Sequence, residues 1–202
     1  MKKIRNTTSF FSARRMATLA VLTAMSLITF MIESLFPPLF IPGAKMGLSN
    51  IFSLLALYVL GPTEAIILVV VRTTLGSVFT GNISTLMYSM TAGLVSVIVS
   101  TVLVEFVYPK VSIVAISVVA AVMHNVTQNV VFCLVSNTPE MFLYMPWLAL
   151  IGVLAGVIVG FAVWFILRTV PARVFIGAAD FTDDQPKAEE PSDESEQNTQ
   201  NK

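Results

Sequence analysis

Between Met16 and Leu167 the chain carries only seven charged side chains: Glu33, Lys45, Glu64, Arg72, Glu105, Lys110 and Glu140. A soluble core must be wrapped in polar faces, and so long a stretch with so few charges has nothing to wrap it. Over the whole chain 12% of residues are charged, against about 25% in a typical soluble domain. The pattern predicts an all-α integral membrane protein. The remaining charges are segregated. Residues 1–15 form a basic head with Lys2, Lys3, Arg5, Arg14 and Arg15, while Arg168 and Arg173 follow the apolar region and segment 178–202 is acidic. The formal net charge of zero is the sum of these opposed parts.

A membrane-spanning helix needs about 20 apolar residues, within a range of about 17–25. Segments 16–36, 85–107, 111–135 and 143–167 meet that length. Segments 46–60 and 65–79 are short, and Gly61-Pro62 divides them. Read as two short or tilted helices, they complete a bundle of six within a membrane domain over 16–170; one long kinked element would leave five. Lysine and arginine placement favours six. With the amino end in the cytoplasm, Lys2, Lys3, Arg5, Arg14, Arg15, Lys110, Arg168 and Arg173 fall inside and Lys45 alone falls outside. Both termini are then cytoplasmic, whereas five crossings would strand Arg168 and Arg173 outside. The first apolar run exceeds a signal-peptide core of about 7–15 residues and continues to Pro37-Pro38 without a cleavage site, so it is expected to be retained. The tail 178–202, rich in Asp, Glu, Gln, Asn, Ser and Pro, is expected to be disordered.

Several chemistries are disfavoured. With Cys133 and His124 the only cysteine and histidine, neither an internal disulfide nor a zinc site is expected. There is no basic surface domain for nucleic acid. The phosphate-binding spacing G-x-x-x-x-G-K-[ST] does not occur. The adjacent Asp183-Asp184 pair lies in the acidic tail, away from any place where it would hold magnesium against a diphosphate. The chain is therefore expected not to be an enzyme and to bind no metal or cofactor, with any ATP hydrolysed by another subunit. No clear inverted repeat of the kind many carriers show is visible.

In lipid, helices associate by close packing at small residues. Gly152, Gly156 and Gly160 form a continuous stripe expected to pack against a neighbouring helix of the same chain. Ala13, Ala17, Ala20 and Ala24 form a second stripe, compatible with internal packing or with docking of a partner subunit.

Ionisable groups inside spans are costly and mark function by default. Lys45, Asn50, Arg72, Thr80, Asn82, Tyr88, His124, Asn125 and Gln128 gather in the outer half of the expected bundle, with Glu33 near the outer end of the first helix. They suggest a pocket that opens outward to a polar or anionic solute. Plainer roles exist for each: Lys45 snorkelling to the interface, Arg72 paired with Glu33, His124 bonded to a neighbouring helix, Thr80 and Asn82 capping a turn.

The segment Pro42-Gly43-Ala44-Lys45-Met46-Gly47-Leu48-Ser49-Asn50-Ile51, followed by Arg72-Thr73-Thr74-Leu75-Gly76-Ser77, resembles the Gx transporter family. This is a group of S components of energy-coupling factor transporters, also labelled as resembling heptaprenyl diphosphate synthase component I. Gly81-Asn82, Tyr88-Ser89, Gly93-Leu94, His124-Asn125 and the Ala20-x-x-x-Ala24 pair extend the similarity over roughly Arg15 to Leu167. The resemblance implies a substrate-capture subunit in a bacterial plasma membrane. Its ligand would be vitamin-like, a flavin or an isoprenoid-related anion. Ala17, Ala20 and Ala24 would face a transmembrane T component that carries two ATP-binding cassette ATPases, and Lys45, Asn50, Arg72, Asn82, Tyr88 and His124 would line or border the pocket. The synthase label points instead to a membrane partner of a polyprenyl diphosphate or quinone biosynthesis enzyme. A stand-alone carrier is a third reading.

Overall fold

Local chemistry sets the helix ends. Gly61 and Pro62 open one helix: proline at the first helical position forfeits an N–H that has no partner there anyway. Gly81 closes that helix in the left-handed conformation at φ 67°, which glycine adopts without steric cost. Ser112 caps another by accepting a hydrogen bond from the Ala115 N–H at 3.1 Å. The computed structural model describes residues 13–35, 47–81, 83–108 and 110–170. Its elements are α1 (Ala13–Leu35), α2 (Asn50–Val59), α3 (Pro62–Thr80), α4 (Ile83–Phe106), α5 (Ile113–Ser136), a 3-10 segment (Pro139–Tyr144) and α6 (Met145–Thr169). Among the described residues every regular element is helical.

Five of these segments are long and apolar enough to cross a membrane. The exception is α2, expected over 46–60 but with only 10 residues of helix. At 1.5 Å per residue it reaches about 15 Å, half of a hydrocarbon core about 30 Å thick. Arg15, at the start of α1, bonds Glu64, at the start of α3, at 2.6 Å, and further along the same two helices Gly76 lies against Phe30. The two helices are thus parallel, and the chain between them must return from one end of the bundle to the other.

From α3 onward, successive long helices are antiparallel. Val69 lies against Gly93, and the Thr73 hydroxyl meets the Met90 sulfur at 3.1 Å, which sets α3 against α4. The Ser96 hydroxyl donates to the Ala120 carbonyl at 3.1 Å between α4 and α5. Between α5 and α6 the glycine stripe does what its spacing predicts. A Cβ at Gly152, Gly156 or Gly160 would sit 3.0, 2.5 or 2.7 Å from the Cα of Val122, Val118 or Val114. By these contacts the start of α1 and the end of α6 share one end of the bundle, called here the Arg15 end; Gly81 lies at the other.

Apolar and polar interiors separate only in part along the bundle axis, since Ser53, Ser96, Ser100 and Ser117 are buried beside the apolar cluster. Leu19, Leu22, Leu54, Leu57, Leu68 and Val163 belong to one apolar cluster toward the Arg15 end. Buried polar side chains, Arg72, Ser77, Ser89, His124, Gln128 and Asn129 among them, occupy the middle and the half toward Gly81.

Candidate functional site

Arg72 lies midway along α3 with 1% of its surface exposed. Helix periodicity on α1 brings Ser26, Phe30 and Glu33 to one face at spacings of four and three residues. The short segment Gly47–Ser49 closes over that face. Gly47 takes the left-handed conformation at φ 71°, which turns the chain so that its carbonyl accepts from the Asn50 N–H at 2.9 Å. Two bonds tie the turn to α1: Glu33 accepts from the Leu48 N–H, and the Ser26 hydroxyl donates to the Ser49 carbonyl at 3.2 Å. Ser89 from α4 and His124 from α5 complete a small cavity of about 10 Å³ that Arg72 borders, close to the space that one water needs.

The Arg72 guanidinium is poorly satisfied for a buried cation. It donates to the Ser26 hydroxyl and to the Asn50 side-chain oxygen, both at 3.3 Å and both neutral, and its Nε has no hydrogen-bond partner. Glu33 borders the same cavity and acts on the guanidinium electrostatically, but its carboxylate also receives the Leu48 N–H. A buried charge is expensive unless it is both paired and fully hydrogen-bonded. Ser77, Ser89 and Gln128 likewise carry buried polar atoms with no hydrogen-bond partner. An under-coordinated buried cation with unfilled polar groups nearby favours an anionic or strongly polar group beside it.

The residues singled out from sequence divide unevenly. Arg72, Asn50 and His124 come together around Gly47 and Ser26. Tyr88 is buried one helix away, sharing a 2.8 Å hydroxyl contact with Thr85 and an edge-on ring contact with Phe132. Gln128 lies one turn from His124. Asn125 turns to α6, donating to the Leu148 carbonyl at 3.1 Å. Thr80 is exposed and donates to Gly76 of its own helix at 2.8 Å, so its hydroxyl is spent locally. Lys45 and Asn82 lie outside the described residues, as do the acidic tail 178–202 and residues 1–12. Ser26, Ser49, Thr73 and Ser89, none of them singled out, border or bond the arginine. The Ser26/Phe30/Glu33 spacing held a signal for the first, masked by the alanine pattern on the same helix.

Ala17, Ala20 and Ala24 are exposed on α1, with Met16, Val21 and Ile28 beside them. The alanine stripe faces away from the bundle, so it is not an internal packing seam.

These features define a polytopic helical membrane protein with a buried cationic pocket. The family model for heptaprenyl diphosphate synthase component I matches residues 22–166, and the chain belongs to that family. No curated protein and no solved structure matches it.

Proposed function

We propose that this protein is the substrate-capture subunit of an importer of the energy-coupling factor type, taking a small polar or anionic micronutrient from outside the cell. The observation that supports it most is Arg72, a buried guanidinium bordering a cavity with long bonds to neutral partners and an open Nε. Such a group is costly in lipid unless something pairs with it. In this reading the Arg15 end faces the cytoplasm of a bacterium and both termini lie there, in keeping with the basic residues at that end. The cavity is then reached from the Gly81 end. The exposed alanine face of α1 docks a transmembrane T component, and two ATPases bound to that component supply the energy. The chain itself catalyses nothing and binds no cofactor.

The family description supports a second reading, in which the protein is the membrane partner of an enzyme that builds polyprenyl diphosphates. The two differ in what binds. Small molecules released from the purified protein are to be measured by mass spectrometry, for the wild type and for Arg72→Ala. A bound anion lost in the variant supports capture. Empty protein that co-purifies with a prenyl-transfer enzyme would sink the importer reading.

A further inference from the structure

A void of about 20 Å³ lies where α2, α4 and α5 meet, on the Arg15 side of Arg72. Ser53 of α2, Ser96 and Ser100 of α4 and Ser117 of α5 supply most of its polar lining. Asn50 lines it too while its side-chain oxygen accepts from Arg72, and Gly47 lines both spaces. The void therefore backs onto the arginine's cavity. One water needs about 10–15 Å³, so this space admits a single water and no organic ligand.

All four serines are buried. Ser96 and Ser100 donate to the carbonyls of Ala120 and Ser96, at 3.1 and 2.8 Å. Their donors are used, while their oxygens remain able to accept. Ser53 is 3% exposed and its hydroxyl has no hydrogen-bond partner. No bulk solvent reaches such a group in a membrane interior, and a buried hydroxyl left unpaired is destabilising. Voids lined by hydrocarbon stay dry, whereas polar voids of this size hold a water making about two to four hydrogen bonds. One open donor facing several open acceptors is the complement of a water, which accepts through its oxygen and donates through both hydrogens.

We propose that this junction is a binding site for one water molecule, which accepts from the Ser53 hydroxyl and donates to serine oxygens of α4 and α5. Direct bonds already tie α2 and its flanking residues to α1 and α3. The Ser26 hydroxyl donates to the Ser49 carbonyl, Arg72 to the Asn50 side chain and Arg15 to the Leu60 carbonyl. The water extends that fastening to α4 and α5. It holds the short helix at the depth that sets Asn50, one turn before Ser53, against Arg72. The site stands whether or not Arg72 holds an anion.

The test is thermal unfolding of the detergent-purified full chain as wild type, Ser53→Ala, Ser117→Ala and the double variant, joined to a wild-type crystal structure at a resolution that shows waters. Each alanine removes one hydroxyl that holds the water, so each single variant is expected to lower the midpoint by about 2–4 °C. The Ser53 hydroxyl is not bonded to Ser117, so the two residues are coupled only through the water. The double variant is therefore expected to fall by clearly less than the sum of the singles. The crystal structure is expected to show an ordered water within about 3.0 Å of the Ser53 oxygen, and it decides the matter if a variant does not fold. A Ser53→Ala midpoint that is unchanged or raised overturns the proposal, because taking a hydroxyl out of a dry void relieves an unpaired polar group. Strictly additive losses, or a crystal structure with no water at the junction, overturn it as well.

Discussion

The Arg72 guanidinium and the Asn50 side-chain oxygen meet at 3.3 Å, joining the middle of α3 to the first residue of α2. With the Ser26 contact from α1, also at 3.3 Å, the arginine touches three helices without being well held by any. The arrangement follows from the short α2, which begins at the depth of the arginine rather than at the end of the bundle.

Arg72→Gln keeps a side chain able to bond Ser26 and Asn50 and removes the buried charge. Each lost contact is a long bond to a neutral group, and an ordinary hydrogen bond contributes only about 0.5–1.5 kcal/mol net. Removing the charge also relieves its desolvation cost. The variant is expected to unfold in detergent within about 1 kcal/mol of the wild type while losing any bound anion. Thermal unfolding, paired with mass spectrometry of released small molecules, checks both halves. A variant that unfolds much earlier and keeps its ligand would make Arg72 a structural residue.

The glycine stripe gives a graded expectation. An added Cβ meets the α5 backbone at 2.5 Å for Gly156, 2.7 Å for Gly160 and 3.0 Å for Gly152. Backbone cannot rotate out of the way, so the helices must separate, and overpacking of this kind costs about 1–3 kcal/mol. Alanine substitutions are expected to destabilise in the order Gly156, Gly160, Gly152, measured as midpoints of thermal unfolding in one detergent. An inverted order would mean that α5 and α6 pack in a different register.

Much of this molecule is legible in its sequence, and the exceptions have physical reasons. The spans follow from hydropathy, because lipid leaves the backbone few choices. The glycine seam follows from spacing, and Arg72 from being a charge far from either helix end. The length of α2 does not, since an apolar stretch carries no mark of where helix gives way to the Gly47 turn. The serines were missed for another reason. A serine hydroxyl can bond the carbonyl four residues back, as Ser100 does to Ser96, so each one alone passes as a tolerated helix residue. Only the convergence of α2, α4 and α5 sets four of them around one void. Thr80 shows the converse: it looked like a site residue and bonds its own helix.

Arg15 fastens the start of α1 to the turn between α2 and α3. It donates to the Glu64 carboxylate at 2.6 Å and to the Leu60 carbonyl at 2.5 Å, and both charged side chains are largely shielded, at 13% and 9% exposure. Hydrogen bonds to charged groups contribute about 1.5–3 kcal/mol. Arg15→Gln and Glu64→Gln are each expected to destabilise by about that amount, and the double variant by less than the sum, because the two changes remove one shared contact. Additive losses in the double-mutant cycle would show that the pair is not coupled.

Ala20 and Ala24 present an exposed, small-residue face on α1, and they touch lipid or a partner rather than the bundle. Substituting leucine at both positions therefore disturbs no internal contact, and surface changes of this kind shift stability by no more than about 0.5 kcal/mol. Close approach of a second helix is a different matter, since small residues are what let helices in lipid pack closely. The Ala20→Leu/Ala24→Leu protein is expected to unfold like the wild type and to retain its bound small molecule. It is expected to fail to co-purify with a transmembrane T component that the wild type retains. Co-expression with an affinity-tagged T component and its ATPases, followed by comparison of what elutes, makes the measurement. Undiminished assembly would move the docking surface off this face of α1, and assembly of neither protein would turn attention to the prenyl-transfer partner.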